Sequence, residues 1–479
     1  MPTARSTLIC ALAALLLVVL SAAAPAAKDP RLKKAYRFGR GGWTYVHLEG
    51  APRTLGFQHG YLLAPEIEDA FKSVQLTETR GTQRPWSFFR DTAQHMLWPN
   101  VEKEYREEME GIAEGLKARG SALDLWDVVA LNGMEETADY YVPWLNAQQK
   151  SSAMPSPRAP GNCSAFIATG SYTKDGKIII AHSLWTSYLH GERWVVMFDV
   201  KPQHGHRMLY DGFPGVITSD SDFGINSAGI MIAETTITQF RGYDPKGIPE
   251  FVRSRKALQY ASSIDDYVRI MKKGNNGGYA NDWLIGDRKT NEIAYLELGL
   301  KHTPLWRKKD GYFVSANFAQ DPQVIKDETD FDPNDLSTSP NARRVRWEEL
   351  MKENKGRIDA VMAERFMGEH YDAYEKKEVA DERSLCGHAE VSDRGLKVWD
   401  WGPWYPGGAV QAKVTDSEMA ERMSLLARAG HPCGEDFHAA EFLAKHPEYD
   451  WQAPLLHDMI AGPWTEFRAG ERAAPAEAK

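Results

Sequence analysis

The sequence predicts an α+β protein, a helical N-terminal part followed by a strand-rich remainder, and three observations predict it. Residues 28–147 repeat apolar side chains at helical spacing, and residues 148–162 have no periodicity and are rich in Ser, Pro and Ala. From Cys163 onward the apolar residues fall in short runs punctuated by turn signals, the pattern of strands. The chain has 479 residues, 43% hydrophobic and 26% charged, enough for a core of normal size and too apolar for wholesale disorder. Its formal charge of −9 argues against a general nucleic-acid binder, which carries a basic field.

The chain opens with Arg5, an uncharged apolar run from Leu8 to Leu20, and small residues around Ala24 and Ala27. This reads as a signal peptide over residues 1–27, so the mature protein is expected to be exported, periplasmic or secreted, with no membrane span left after cleavage. Cys10 leaves with that segment. In the helical part, Val101, Tyr105, Met109, Ile112 and Leu116 line one face of a helix that Gly120 ends. Ser121 and Asp124 open another through Trp126, Val129 and Leu131. Beyond the exposed 148–162 linker, residues 163–168 (CSAFIA) form a strand, Lys174-Asp175-Gly176-Lys177 signals a hairpin, and residues 178–182 (IIIAH) return. Residues 229–237, 283–285, 293–298 and 312–315 are further strands. A helix is expected from Asn341 into Met351. Another is expected from a capping box at Thr415 and Glu418 through Met419, Met423, Leu425 and Leu426 to Gly430.

Common catalytic motifs are missing: there is no G-x-S-x-G, H-E-x-x-H or Walker loop, and His204-Gly205-His206 is a lone H-x-H. No metal and no cofactor is expected. The cluster Trp399, Trp401, Trp404 and Tyr405 lines a pocket or packs a corner. Three cysteines remain after residue 27, and an odd number leaves one thiol over in an oxidising compartment. Cys386 and Cys433 share the C-terminal region and are the candidate disulfide, which singles out Cys163.

Cys163 follows an exposed loop and begins a strand. If the Asn162–Cys163 bond is cut, Cys163 gains an α-amine of pKa about 7.7–8.0 that can serve as base for its own thiol. The same thiol can make the cut by attacking the preceding carbonyl.

Several blocks then fall in order: CSAFIA (163–168), AHSLWTSY (181–188), FPGVITSDSDF (213–223), AGIMIAETTI (228–237), NNGGYANDWLIGD (275–287) and GGAVQAKVTD (407–416). As a set, over nearly all of 163–479, they resemble the phospholipase B-like family of N-terminal-nucleophile (Ntn) hydrolases. GFQHGYLLAPEI (56–67) resembles, more loosely, the pro-segment of the penicillin-acyltransferase-like group. The resemblance implies a four-layer αββα fold with a mainly helical pro-segment over 28–147, self-cleavage at Asn162–Cys163, and a catalytic region over 163–479. It implies Cys163 as nucleophile and His182 near the nucleophile's amine. Thr235 with Glu234, and Asn317, fall at the oxyanion hole, with Asn281 competing, and Arg343 steadies the nucleophile. Trp185 is a candidate substrate contact. The register between Arg343 and Arg344 stays open, and Gln411 stands where the family block has Asp. The expected activity is hydrolysis of an acyl amide or acyl ester, the substrate a small lipid or N-acyl amide. Acyl transfer, peptidase action, or a non-catalytic binding shell are the alternatives, and the oligomeric state is open.

Overall fold

The computed structural model describes residues 29–148 and 163–473. The expected signal peptide and almost all of the expected linker, Asn162 included, lie outside the described residues. In chain order the strands are β1 (Tyr36–Arg40), β2 (Trp43–Gly50), β3 (Cys163–Thr169), β4 (Ile179–Ser187), β5 (Val196–Pro202), β6 (Met208–Gly212), β7 (Gly224–Asn226), β8 (Ile230–Thr236), β9 (Asn281–Asp287), β10 (Glu292–Leu298), β11 (Leu305–Lys308), β12 (Gly311–Ser315), β13 (Tyr371–Asp372), β14 (Lys377–Glu378), β15 (Gly407–Asp416), β16 (Ser424–Ala429) and β17 (Thr465–Arg468). The helices are α1 (Pro52–Leu62), α2 (Ala64–Thr82), α3 (Trp86–Thr92), α4 (Lys103–Ala118), α5 (Leu125–Asn132), α6 (Val142–Gln148), α7 (Tyr188–Gly191), α8 (Glu250–Tyr260), α9 (Ile264–Lys272), α10 (Pro322–Glu328), α11 (Ser339–Glu353), α12 (Ala360–Met367), α13 (Ser417–Glu421) and α14 (Ala439–Lys445).

Two large sheets carry the architecture, which is mixed α and β as the sequence predicts. One has nine strands in the order β1-β2-β5-β6-β7-β8-β9-β10-β11, and the other six in the order β12-β3-β4-β15-β16-β17. Alternation along each strand sends side chains to both faces. Met231 and Ala233 of β8 pack with Ala165 and Ile167 of β3 and Ile180 of β4 in one apolar seam between the sheets. The opposite face of the nine-stranded sheet, through Ile230, Ile232, Trp283 and Ile285, packs on α1, α2, α4, α5, α8 and α9. The outer face of the six-stranded sheet, through Phe166, Ala168, Ile179 and Val414, packs on α11 and α12. Strands buried on both faces read as continuous apolar runs, which is why CSAFIAT and IIAHSLWTS lack alternation.

Most of the expected elements are present. The helix through Val101–Leu116 is α4, and α5 starts at Asp124, whose carboxylate accepts the Trp126 and Asp127 N–H groups in a capping box. β3 and β4 pair antiparallel through the expected turn, Cys163 opposite Leu184.

One reading is refined and another corrected. The described part of 28–147 is mostly helical, but, a single turn at Pro30–Leu32 apart, the helices begin at Pro52. Before it, β1 and β2 form a hairpin, and β2 runs parallel to β5 over seven residue pairs, so this segment builds part of the main sheet. The helix expected from Thr415 to Gly430 is instead a short helix, α13, followed by strand β16. Asp416 rather than Thr415 caps α13 by accepting the Met419 N–H, while Leu426 pairs with Val414 of β15 and Leu425 with Phe467 of β17. Pairing with an interior strand outweighs the helical spacing of the methionines and leucines.

Candidate active site

Cys163 is the first residue of β3 and is fully buried. Strand register sets its neighbours: His182 of β4 lies between Ala165 of β3 and Lys413 of β15, on the face turned toward the nine-stranded sheet. A bulge in β15 between Ala409 and Gln411 puts Gln411 opposite Leu184 and Lys413 opposite His182.

Arg343, from the first turns of α11, holds the main chain at Cys163. Its Nη1 donates to the Cys163 carbonyl at 2.7 Å, its Nη2 to Asn317 Oδ1 at 2.9 Å and its Nε to Ser339 Oγ at 3.0 Å. Asn317 Oδ1 also accepts the Cys163 N–H at 3.3 Å, while Asn317 Nδ2 donates to the Thr236 carbonyl at 3.0 Å. The main chain on both sides of the Cys163 Cα is thus held, the N–H by Asn317 and the C=O by Arg343. The Arg343 guanidinium lies 4.2 Å above the Trp185 ring and 5.6 Å from that of Trp399. With no carboxylate partner, the buried guanidinium has its pKa pulled down to about 9. Arg344 instead bonds Pro333 O and Asn341 Oδ1, so Arg343 is the one of the two that touches Cys163. Asn317 adopts φ +70°, a left-handed conformation that costs a non-glycine residue about 1 kcal/mol and aims its amide at Cys163.

The remaining candidates divide into groups. Thr235 braces the two sheets: its hydroxyl meets Ser315 Oγ at 2.5 Å, Ser315 donates to Asp282, and the Asn317 N–H reaches Thr235 Oγ1 at 3.4 Å. Asn281 pairs with Thr236 across β8–β9; its Oδ1 accepts from Trp283 Nε1 at 2.7 Å, and its Nδ2 is a buried donor with no hydrogen-bond partner. Asn281 therefore keeps an unused amide N–H, whereas Asn317 turns its Oδ1 to Cys163 and its Nδ2 to the Thr236 carbonyl. Trp185, like Cys163, is fully buried, and its ring is the shelf under Arg343. Cys386 and Cys433 stand as separate thiols, far along the chain from Cys163, in a pocket they share with two imidazoles.

Electrostatics keep these groups uncharged. Burial, with Glu234 next to it, pushes the Cys163 thiol well above its ordinary pKa. Burial and the neighbouring Lys413 hold His182 well below its ordinary value, so the imidazole is neutral. Glu234, buried with both oxygens unpartnered, is held well above the carboxylate range by burial and by Asp222. A base is needed before Cys163 can become a nucleophile.

Sequence reasoning missed Lys413. It is fully buried and its Nζ reaches Ser221 Oγ at 3.2 Å and Asp211 Oδ2 at 3.3 Å. A lysine inside the apolar run GGAVQAKVTD was the available signal. It also missed an acid-lined cleft of about 170 Å³ where β4 ends. Glu78, Glu135 and Asp139 face Thr186, Ser187 and Trp401 there, a few residues beyond the strand partner of Cys163. Burial raises all three carboxyls, that of Asp139 to about 7. A larger cavity of about 760 Å³ lies on the far side of Trp401, with Ser339 in its wall.

The sequence is similar to those of known proteins. The sequence model of the Phospholipase B family matches residues 81–299, a span that holds Cys163, His182, Thr235 and Asn281 but neither Asn317 nor Arg343. Human phospholipase B-like 1 is 26% identical over 269 residues, 50% of this chain and 48% of its own length. Bovine phospholipase B-like 1 is 25% identical over 263 residues, 49% of this chain and 48% of its own. An uncharacterized protein of Archaeoglobus fulgidus is 28% identical over 286 residues, 55% of this chain and 44% of its own. Over these spans the chain is similar to the phospholipase B-like proteins, and the matches cover about half the length of these curated relatives.

Proposed function

We propose that the protein is an exported, self-processing Ntn cysteine hydrolase that cleaves an acyl amide or acyl ester through a Cys163 acyl-enzyme. One observation carries the reading: a cysteine opens an interior strand with its N–H and C=O clamped by Asn317 and Arg343. The two sheets packed face to face, with helices on their outer faces, are in keeping with the αββα Ntn fold. The names of the relatives support a hydrolase.

The chemistry runs in two stages. In processing, Cys163 Sγ attacks the Asn162 carbonyl carbon, the C–N bond breaks, and the thiol proton passes to the departing nitrogen. Water then splits the thioester, giving an Asn162 carboxylate and a free Cys163 thiol and amine. In turnover that amine takes the thiol proton as Sγ attacks the substrate carbonyl. The Asn317 or Asn281 amide N–H stabilises the oxyanion. The proton leaves with the amine or alcohol, and water releases the acid. Neutral His182 orients the amine without competing for its proton.

N-terminal sequencing of the purified protein beside Cys163→Ala tests the first stage. Wild type is expected to yield a chain beginning at Cys163 while the variant stays whole; two intact chains would sink the mechanism. Hydrolysis of N-acyl amides and lysophospholipids by the processed protein, lost after alkylation of Cys163, tests the second. If processing occurs and no acyl substrate turns over, the binding-shell alternative takes its place.

A further inference from the structure

The cysteines that the sequence pairs as a disulfide belong to a different constellation. His370, Cys386, His388 and Cys433 present one ligand atom each, all within 4.8 Å of one another. Three short stretches deliver them. His370 follows α12 and immediately precedes β13. Cys386 and His388 flank Gly387 in the loop after β14, and Cys433 lies in the loop after β16. The backbones are fixed: the Cys386 N–H donates to the Glu369 carbonyl at 3.0 Å, the His388 N–H to the Asp381 carbonyl at 2.9 Å, and the Ala409 N–H to the Gly387 carbonyl at 3.0 Å. Gly387 has φ +59°, which allows the side chains on either side of it to converge. Gly368 lets the other loop approach, since a Cβ there would stand 3.1 Å from Cys433 Cα.

The donor set is that of a structural zinc site. Two thiolates and two imidazoles in tetrahedral array, with Zn–S about 2.3 Å and Zn–N about 2.0–2.1 Å, put sulfur and nitrogen roughly 3.5 Å apart. Cys433 Sγ lies 3.6 Å from His388 Nε2. The outer shell is also built. His388 Nδ1 bonds Glu390 Oε1 at 2.9 Å, which places the proton on Nδ1 and frees the Nε2 lone pair for a metal. Glu390 is held in turn by the Tyr188 hydroxyl, and the His431 ring stacks on His388 at 4.2 Å. His370 Nε2 is buried and makes no hydrogen bond of normal geometry, and its ring stands at 83° to that of His388.

We propose that His370, Cys386, His388 and Cys433 bind one zinc ion in a closed tetrahedral site that pins the 368–388 segment to the loop after β16. Four protein ligands leave no open position, so the role is structural. The ion also reaches the nucleophile indirectly. Gly387 packs so tightly on Trp185 that a Cβ would meet its ring at 2.1 Å, and Trp185 is the shelf on which Arg343 lies. The inference stands whether or not the acyl-hydrolase reading does.

The test is metal analysis of the full chain expressed with zinc, together with the visible spectrum of its cobalt-exchanged form and a thiol count under denaturing conditions. The expected result is about one zinc per chain and the d–d and thiolate charge-transfer bands of tetrahedral cobalt bound through sulfur. Zinc should be lost in Cys433→Ser and retained in His204→Ala, and affinity should fall roughly 10- to 100-fold in Glu390→Gln. The cobalt spectrum reads the ligand set in the unaltered protein, so a Cys433→Ser chain that fails to fold does not decide the matter. No bound zinc with Cys386 and Cys433 recovered as a disulfide would overturn the proposal, as would a cobalt spectrum without thiolate bands.

Discussion

Replacing Arg343 by lysine keeps a positive charge on α11 and removes the fork. The guanidinium serves the Cys163 carbonyl, Asn317 Oδ1 and Ser339 Oγ at 2.7–3.0 Å while lying flat on Trp185. An ammonium on a four-carbon stem is a point donor and can keep one of the two acceptors on the Cys163 side. Losing a hydrogen bond from a charged donor costs about 1.5–3 kcal/mol, and a buried acceptor left unpaired adds to it, so about 3 kcal/mol is at stake. Asn317 Oδ1 accepts the N–H whose nitrogen departs in processing, and Arg343 holds both that Asn317 oxygen and the carbonyl of the following peptide. If that positioning is felt in the transition state, 3 kcal/mol slows self-cleavage about a hundredfold. The assay follows precursor and fragments on denaturing gels after a pulse of expression, with thermal melting run beside it. Arg344→Lys is the control, since Arg344 bonds Pro333 and Asn341 instead. Wild-type processing in Arg343→Lys, or equal slowing in Arg344→Lys, would refute the reasoning.

Three further outcomes are expected. The N-terminal segment should stay bound after cleavage, because β2 is hydrogen-bonded to β5 and the buried pair Glu108–Arg255, 3.0 Å apart, ties α4 to α8; separation of the fragments on a native sizing column without denaturant would contradict this. Stability should fall as pH rises from 6.5 to 8. Burial lifts the folded-state pKa of Asp220 to about 7 and of Glu250 to about 8, so the folded chain still holds protons that the unfolded chain has released. The buried histidines His59 and His190, with pKa values depressed to about 3 and 4, act only below about pH 6.5, where the unfolded chain would protonate them. Melting temperatures at the two pH values check the sign, and Asp220→Asn should flatten the slope; a rise in stability toward pH 8 would reverse the argument. Gly387→Ala should destabilise the protein by about 2–4 kcal/mol in denaturant unfolding, from left-handed strain plus collision with Trp185; an effect below 1 kcal/mol would mean that the ring has room to move.

What the sequence determined by itself was local and ordered along the chain. The apolar runs from Cys163 onward, the Asp-Gly turn after Thr173 and the spacing of α4 report on residues whose neighbours in sequence are also their neighbours in space. Cys163 stood out because a thiol at the junction of an aperiodic loop and a strand has a chemistry of its own; the ordered blocks brought His182 with it, and the resemblance they carry implied Asn317 and Arg343. Tertiary structure decided what depends on contacts between distant segments. The strand β2 looked like part of a helical region until β5 offered a partner about 150 residues away, and Leu425–Leu426 left their helical pattern because β15 and β17 lay on either side of them. Trp185 proved to be a support for Arg343, since only α11 folded over β4 puts a cation on that ring. Lys413 faces Asp211, and His370 meets Cys433, across separations that no periodicity records. Periodicity tells a residue which face it occupies; only the packing of one face on another says which groups share the buried space and so which of them can hold a charge, a proton or a metal ion.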